Sequence, residues 1–223
     1  MTTLSAGEKI MKNIILASGS PRRIEIMRRN GFEPEIRPAD VNEDLPFYMM
    51  PESAVMYLAL KKNLHTANKY NMPDSIYISA DTVVAYKGRI IGKPSDSNDA
   101  FKTLSELRND CHNVITGVCI LETGPDADRN PESTAGMPAN PAAAGISGSI
   151  SFIRKICFYE STSVFFKNYS DEELAAYVST DEPYDKAGGY AIQGTFGRYI
   201  DHIDGDYDNV VGFPWNKIAA YLY

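Results

Sequence analysis

The sequence predicts an α/β protein, because apolar runs typical of strands alternate along the chain with segments of helical pattern. Residues 13–17 and 76–80 are short apolar runs of the kind that form buried strands. Residues 51–70 follow a helical pattern opened by a proline, and Asp96 caps a further helix that ends near Arg108. Such interleaving is typical of a sheet covered by helices.

The other predicted elements continue this alternation. A helix over residues 22–29 ends at Asn30-Gly31, and Ser170 with Glu173 forms a capping box for a helix through Val178. Pro214 opens a terminal helix. Further strands are predicted over residues 32–37, 83–91 (a hairpin turning at Lys87-Gly88), 114–121, 152–167 (one long strand or a pair) and 196–203.

The composition argues against two classes of protein, those that bind nucleic acid stably and those that span a membrane. The chain of 223 residues has 22 basic and 29 acidic residues, a net charge of −7, which argues against stable binding to nucleic acid. No apolar run approaches the roughly 18 residues of a membrane span. The three cysteines, Cys111, Cys119 and Cys157, form no C-x-x-C pair. We therefore expect a cytoplasmic protein with no membrane partner.

Three regions are distinguished along the chain. Residues 1–11 are expected to form a loose N-terminal extension, and residues 12–223 a single domain. Residues 123–151 interrupt the regular pattern with glycine, proline, alanine and serine, so we interpret them as a flexible insertion rather than a domain boundary.

The segment after the first strand is suited to binding phosphate. Ser18 and Ser20 precede Pro21, which fits the first position of a helix, and Arg22 and Arg23 follow. Free N–H groups and the helix dipole favour an anion there, and arginine side chains match phosphate oxygens. Taken alone, the segment is equally compatible with an ordinary strand-to-helix turn that carries surface arginines.

Two carboxylates are candidates for metal binding or catalysis. Asp81 follows a buried strand at what we predict to be its end, and Glu43 lies in an acidic stretch. Together they would make an oxygen site suited to Mg²⁺ or Mn²⁺, and either could act as a base. The alternatives are a cap or turn for Asp81 and a solvated loop for Glu43.

Three further polar residues suggest ligand contacts. Lys62 falls on or beside the buried stripe of the helix over residues 51–70, where an ammonium needs a partner such as a phosphate. Lys93 follows a glycine, but Pro94 occupies the Ser/Thr position of a P-loop, so only a phosphate contact is predicted. Gln193 lies in the glycine-rich stretch 185–194 and can both donate to and accept from a base. The alternative for that stretch is a turn-rich connection.

Taken together, these segments resemble the Maf family of nucleoside triphosphate pyrophosphatases, and they occur in the family's order over most of the chain. The matching pieces are residues 16–23 (LASGSPRR), 80–84 (ADTVV), 92–94 (GKP), 116–118 (TGV), 185–188 (DKAG), 193–194 (QG), 205–207 (GDY) and 210–214 (VVGFP).

The resemblance implies an elongated α/β fold, similar to those of Maf and inosine-triphosphatase-like proteins, with a mixed sheet, flanking helices and two lobes around a central cleft. It also implies a homodimer, a divalent metal, and hydrolysis of a nucleoside triphosphate to the monophosphate and pyrophosphate. Arg22 and Gln193 resemble the branch that acts on dTTP and UTP. The branch preferring 7-methyl-GTP typically has an aromatic residue after the proline and a glutamate near the glutamine position.

Under this hypothesis, the cationic and hydroxyl residues hold the triphosphate, Asp81 with Glu43 carries the metal or orients water, and Gln193 with Thr82 contacts the base. The triphosphate-binding residues are Ser18, Ser20, Arg22, Arg23, Lys62 and Lys93. Two alternatives stay open: a pyrophosphatase of different base preference, and a non-catalytic nucleotide-binding regulator of cell division.

Overall fold

The structure is a computed structural model that describes residues 12–125 and 152–222. Within these two ranges, seven strands form one mixed sheet. They are β1 (Asn13–Leu16), β2 (Glu35–Ile36), β3 (Ser75–Tyr86), β4 (Arg89–Ile91), β5 (Cys111–Thr123), β6 (Phe152–Phe166) and β7 (Ile200–Asp204). The order across the sheet is β2-β1-β3-β5-β6-β7, and β4 pairs with β3 beside this path. The predicted α/β class with a mixed sheet is confirmed.

Six helices flank the sheet in the described part of the chain. They are α1 (Pro21–Arg29), α2 (Pro51–Tyr70), α3 (Ser97–Leu107), α4 (Asp171–Val178), α5 (Tyr207–Val211) and α6 (Trp215–Ala219). The local signals act as expected: prolines begin α1 and α2, Asp96 accepts from the Asp99 amide to cap α3, and Ser170 with Glu173 forms a capping box on α4. None of these helices is long and apolar enough to cross a membrane.

Strand β3 has two different partners along one edge. Its first residues pair in parallel with β1, up to the pair Leu16↔Ile78, and its last residues pair antiparallel with β4, from Val84↔Ile91 onward. The other edge pairs with β5 from Ile76 to Ala85. Residues 79–83 are therefore bordered by no strand on the β1 and β4 side among the described residues, and this open edge positions the site.

The two faces of the sheet carry different helices. Helix α2 covers one face, where Tyr77 and Cys119 pack with its Ala59. It approaches β5 so closely that a Cβ on Gly117 would lie 2.3 Å from the carbonyl carbon of Val55. The opposite face carries two clusters, one around Leu104 of α3 and one that includes residues of α1 and α6.

Two predicted strands differ from the structure. The strand expected over residues 76–80 continues to Tyr86, because the β-branched residues Thr82, Val83 and Val84 extend the pairing with β5. The strand expected over residues 196–203 begins instead as a 3₁₀ helix, Thr195–Tyr199. Its buried Phe196 and Tyr199 are three residues apart, which is the period of a 3₁₀ helix and not of a strand.

Other elements can be compared with the predicted strands and helices by their extent. The strand predicted over residues 32–37 is only Glu35–Ile36, and helix α5 was not predicted. Of the two alternatives predicted for residues 152–167, the structure has the single long strand, Phe152–Phe166. The expected N-terminal extension, residues 1–11, and residues 126–151 of the expected insertion lie outside the described residues.

Candidate functional site

Arg23 of α1 closes the open edge of β3. Its Nη1 donates to the Ala80 carbonyl oxygen at 2.7 Å, and its Nε donates to the Gly212 carbonyl oxygen at 2.9 Å. The guanidinium thus satisfies a strand carbonyl that has no neighbouring strand, and it ties the start of α1 to the end of α5. An orphaned carbonyl at this position would cost free energy comparable to a lost hydrogen bond.

A directional chain of hydroxyl hydrogen bonds runs inward from Arg23. Its Nη2 donates to Thr82 Oγ1 at 3.2 Å, and Thr116 Oγ1 donates to the Asn209 carbonyl oxygen at 3.1 Å. The two threonine oxygens are 3.0 Å apart. Because Thr116 has already given its only proton to Asn209, Thr82 must donate to Thr116. Thr82 therefore offers a ligand a lone pair but no proton.

Ser18 helps to hold the Arg23 side chain in place. Its Oγ accepts from Arg23 Nη1 at 3.1 Å and from the Ser20 amide at 3.3 Å. Four of the five guanidinium N–H groups thus have partners among the described residues, and one remains for a ligand. Burial lowers the pKa of Arg23, and the charge of Asp81 opposes that shift.

A cavity of about 250 Å³ lies on the Thr82 side of the sheet. It collects six of the predicted site residues: Ser20, Arg22, Arg23, Thr82, Lys93 and Gln193. The wall contains four cations, since Lys186 joins Arg22, Arg23 and Lys93, and one carboxylate, Asp185. In a chain of net charge −7, this concentration of positive charge marks an anion-binding cavity.

Glycines bring the wall of the cavity together. The Gly188 amide donates to the Gly92 carbonyl oxygen at 2.9 Å, which fixes the segment that carries Lys93. Gly188 has φ +73°, and a Cβ on it would lie 2.8 Å from Val84 Cγ2. Only glycine combines this conformation with so close an approach to β3.

Glu182 holds the segment that presents Gln193. Its carboxylate accepts from the Thr195 amide at 3.0 Å and from the Thr195 hydroxyl at 2.7 Å. A Cβ on the intervening Gly194 would lie 1.9 Å from Glu182 Oε1, so the carboxylate packs directly on the backbone beside Gln193. Glu182 is thus a positioning residue that the sequence analysis did not identify.

Asp81 lies in the middle of β3, not at a strand end as predicted. Side chains alternate along a strand, so Asp81 and Thr82 point to opposite faces. Asp81 faces α2, where Lys62 Nζ lies 2.6 Å from its Oδ1 and 2.9 Å from Glu43 Oε1. The side chains of Lys62 and Asp81 are only 12% and 10% exposed, while that of Glu43 is 61% exposed.

The donor chemistry of this cluster suits a divalent cation. Two carboxylates converge beside Lys62 Nζ, which contacts one oxygen of each, and carboxylate oxygens are the ligands that Mg²⁺ and Mn²⁺ prefer. Within residues 12–125 and 152–222, no group of three or more His, Cys, Asp or Glu side chains is arranged to hold a metal. A bound ion would therefore need oxygens from the substrate or water to complete its shell.

The predicted residues thus form two adjoining groups rather than one. Six line the cavity, while Asp81, Glu43 and Lys62 meet on the α2 side of β3. Arg23 lies between the groups, within electrostatic range of both Asp81 and Glu43. Asp185 and Lys186 also line the cavity, and both belong to the glycine-rich stretch 185–194, from which only Gln193 was predicted as a site residue.

Tyr190 is another cavity residue that the sequence analysis did not single out. Its hydroxyl lies 2.6 Å from Nε2 of the buried His112, and burial raises its pKa. Burial also lowers the pKa of His112 to about 4. The imidazole is therefore neutral at physiological pH.

Comparison with known proteins agrees with this architecture. The model of the family described as Maf-like protein matches residues 13–223. A dTTP/UTP pyrophosphatase of Caldicellulosiruptor bescii is 39% identical over 214 residues, 95% of this chain and 94% of the relative. Proteins of the same name from Bacillus cereus (38% identical; 95% of this chain, 89% of the relative) and Exiguobacterium sibiricum (39%; 94% and 90%) are also similar. The chain belongs to the Maf family.

Proposed function

We propose that this protein is a nucleoside triphosphate pyrophosphatase that hydrolyses dTTP and UTP to the monophosphate and pyrophosphate. Relatives that carry this name are similar over about 95% of the chain. The observation that carries the proposal is the cavity wall, where four cations surround a space of about 250 Å³ in an acidic protein. A compact polyanion is the ligand that such a wall favours.

The phosphates would bind at the N-terminus of α1. The Ser20 hydroxyl caps no amide of that helix, so within the described residues it is left for a ligand. Arg22 and Lys93 add positive charge from two separate segments, and Lys186, which is paired with Asp185, lies beside them. Charge that is fixed before the substrate binds stabilises the transition state of phosphoryl transfer without reorganisation.

Asp81 and Glu43 would hold the divalent cation, which when bound neutralises charge on the phosphates. Lys62 holds both carboxylates at one position through its two ion pairs. Asp81 would also orient the water that attacks the α-phosphorus, with pyrophosphate leaving. Arg23 would connect the two groups, because it fixes Thr82 and places its charge near Asp81.

Gln193 would contact the pyrimidine base. A side-chain amide presents one donor and one acceptor together, which matches the adjacent N–H and carbonyl groups of thymine and uracil. The Glu182 contacts with Thr195 would keep the amide in place. Thr82, which keeps no free proton, would contact the ligand only as an acceptor.

The test is pyrophosphate release with Mg²⁺ or Mn²⁺ across dTTP, UTP, CTP, GTP, ATP and 7-methyl-GTP. We expect turnover to be strongest with dTTP and UTP. Preference for another nucleotide would keep the chemistry and overturn the base assignment. Absence of turnover from folded protein with metal would favour a nucleotide-binding regulator instead.

The resemblance also leads us to propose a homodimer that acts in the cytoplasm and binds neither nucleic acid nor membrane. The net charge of −7 supports the absence of nucleic-acid binding. Light scattering in solution tests the dimer, and a single-chain mass would contradict it.

A further inference from the structure

Two cysteines face each other across neighbouring strands, outside the cavity. Cys119 of β5 is directly paired in register with Cys157 of β6, so their side chains share one face of the sheet. Their sulfur atoms are 3.1 Å apart. Both thiols are free, and the distance is that of a hydrogen-bonded pair and not of a covalent bond.

The pair lies at the boundary between the core and solvent. Cys119 is fully buried under α2, in the cluster that contains Ala59 and Tyr77. Cys157 is partly exposed, at the rim of the same cluster. Its neighbours on the same face of β6, Lys155 and Tyr159, are both exposed. A small oxidant can therefore reach Cys157 more readily than the buried Cys119.

The electrostatic surroundings make Cys157 the reactive member. The hydrogen bond with Cys119 lowers the pKa of the Cys157 thiol, and the charge of Lys155 lowers it further. The same hydrogen bond, together with burial, raises the pKa of Cys119. The thiolate is the nucleophilic form of cysteine, so the exposed thiol is also the activated one.

We propose that Cys119 and Cys157 form a reversible disulfide in response to peroxide. The Cys157 thiolate attacks one peroxide oxygen and gives a sulfenic acid, with release of water once the leaving oxygen is protonated. The Cys119 sulfur then attacks the sulfenic sulfur, the S–S bond forms, and a second water leaves. In total, two thiols and one hydrogen peroxide give one disulfide and two waters, and a thiol reductant reverses the change.

This modification site is independent of the proposed hydrolysis. Neither cysteine lines the cavity, and neither contacts Lys62, Asp81 or Glu43 through a described hydrogen bond or ion pair. A transient disulfide is also compatible with a reducing compartment, where disulfides that do form are typically redox-sensing. The experiment that tests the proposal detects the disulfide bond itself and does not depend on enzyme activity.

The third cysteine provides a matched control. Cys111 is on the same strand as Cys119 and is partly buried, but its sulfur lies 3.9 Å from the His112 carbonyl oxygen and no cysteine faces it among the described residues. Burial raises the pKa of its thiol. Geometry and reactivity therefore both predict that it stays reduced at peroxide doses that oxidise the pair.

The experiment treats the folded full chain with a few equivalents of hydrogen peroxide, blocks remaining thiols, and digests with trypsin without reductant. Trypsin cuts at Arg154 and Lys155, which separates Cys157 from Cys119, but Cys111 and Cys119 share one peptide. Digestion is therefore repeated on Cys111→Ser, in which a link between the two different peptides can only join Cys119 to Cys157. We expect the wild type to lose two of its three free thiols and Cys111→Ser to lose both of its thiols. Dithiothreitol should restore the free thiols in both proteins.

A second variant separates the two steps. In Cys119→Ala, dimedone should trap a sulfenic acid on Cys157, and in Cys157→Ser no linked peptide should form. Peptides that stay unlinked in Cys111→Ser while peroxide is consumed would overturn the proposal. Oxidation of Cys111 before Cys157, or a bond only between separate chains, would overturn it as well.

Discussion

Lys62 Nζ lies 2.6 Å from Asp81 Oδ1, so an ammonium of α2 is paired with a carboxylate in the middle of strand β3. Both side chains are nearly buried, and the lysine also contacts the more exposed Glu43 at 2.9 Å. The ion pair therefore fixes α2 over the open edge of β3 and places two carboxylates at one position.

Asp81→Asn is expected to reduce pyrophosphate release by several orders of magnitude while the protein stays folded. The amide keeps the shape of the side chain but removes a negative charge that holds the cation and orients water. Turnover with dTTP and the thermal unfolding midpoint are measured together. Asp201→Asn, on the exposed β7, is the matched control and should keep full activity. Near-normal turnover in Asp81→Asn would contradict the role of this carboxylate.

Lys62→Met is expected to destabilise the protein by about 3 kcal/mol, because it leaves Asp81 as a nearly buried carboxylate without its ion-pair partner. Denaturant unfolding measures the free energy. The double variant Lys62→Met/Asp81→Asn should recover part of the loss, since the unpaired charge is gone. Additive losses in the double variant would show that the two residues are not coupled.

Gly117→Ala is expected to cost about 3 kcal/mol of unfolding free energy, as overpacking does in a close contact. The added methyl group would lie 2.3 Å from the Val55 carbonyl carbon, so α2 must move away from β5. Gly92→Ala is the control, because no atom of the described residues lies within 4 Å of its added Cβ. Equal unfolding free energies for the two variants would contradict the close approach.

Glu182→Ala is expected to lower kcat/KM for dTTP by about tenfold without unfolding the protein, because misplacing a substrate-positioning group is costly even far from the chemistry. The variant removes the acceptor of the Thr195 amide and hydroxyl, and so loosens the segment that presents Gln193. Asp181→Ala changes the neighbouring exposed acid and should leave kcat/KM unchanged. A loss of kcat/KM in Asp181→Ala equal to that in Glu182→Ala would point to a general effect of charge.

The stability of the protein is expected to fall as the pH is lowered from about 7 towards 4. The pKa of His112 is about 4 in the folded protein, against its ordinary value of 6.5 in the unfolded chain, so between these values the unfolded chain binds the extra proton. The difference corresponds to about 3 kcal/mol. The glutamine of His112→Gln cannot titrate, so the unfolding free energy of this variant should decrease less over this pH range than that of the wild type. Parallel pH profiles for the two proteins would contradict the neutral, buried imidazole.

Features encoded by a few adjacent residues were predictable from the sequence. The bounds of α2, the Asp96 cap of α3 and the capping box of α4 all follow from residues within one or two helical turns. The cavity residues Arg22, Lys93 and Gln193 were found because a short motif marks each. Asp185 and Lys186 lie in such a motif too, but nothing local distinguishes a ligand contact from a turn.

The sequence by itself determined the α/β class, most helix ends and the identity of the polar side chains available for chemistry. Only the tertiary structure decided that Asp81 and Thr82 point to opposite faces, that Lys62 is paired with a carboxylate, and that Arg23 closes the open edge of β3. These relationships depend on which strands pair and where that pairing stops. Strand pairing depends on the burial and hydrogen bonds that segments distant in the sequence can form together, so no local sequence pattern predicts it.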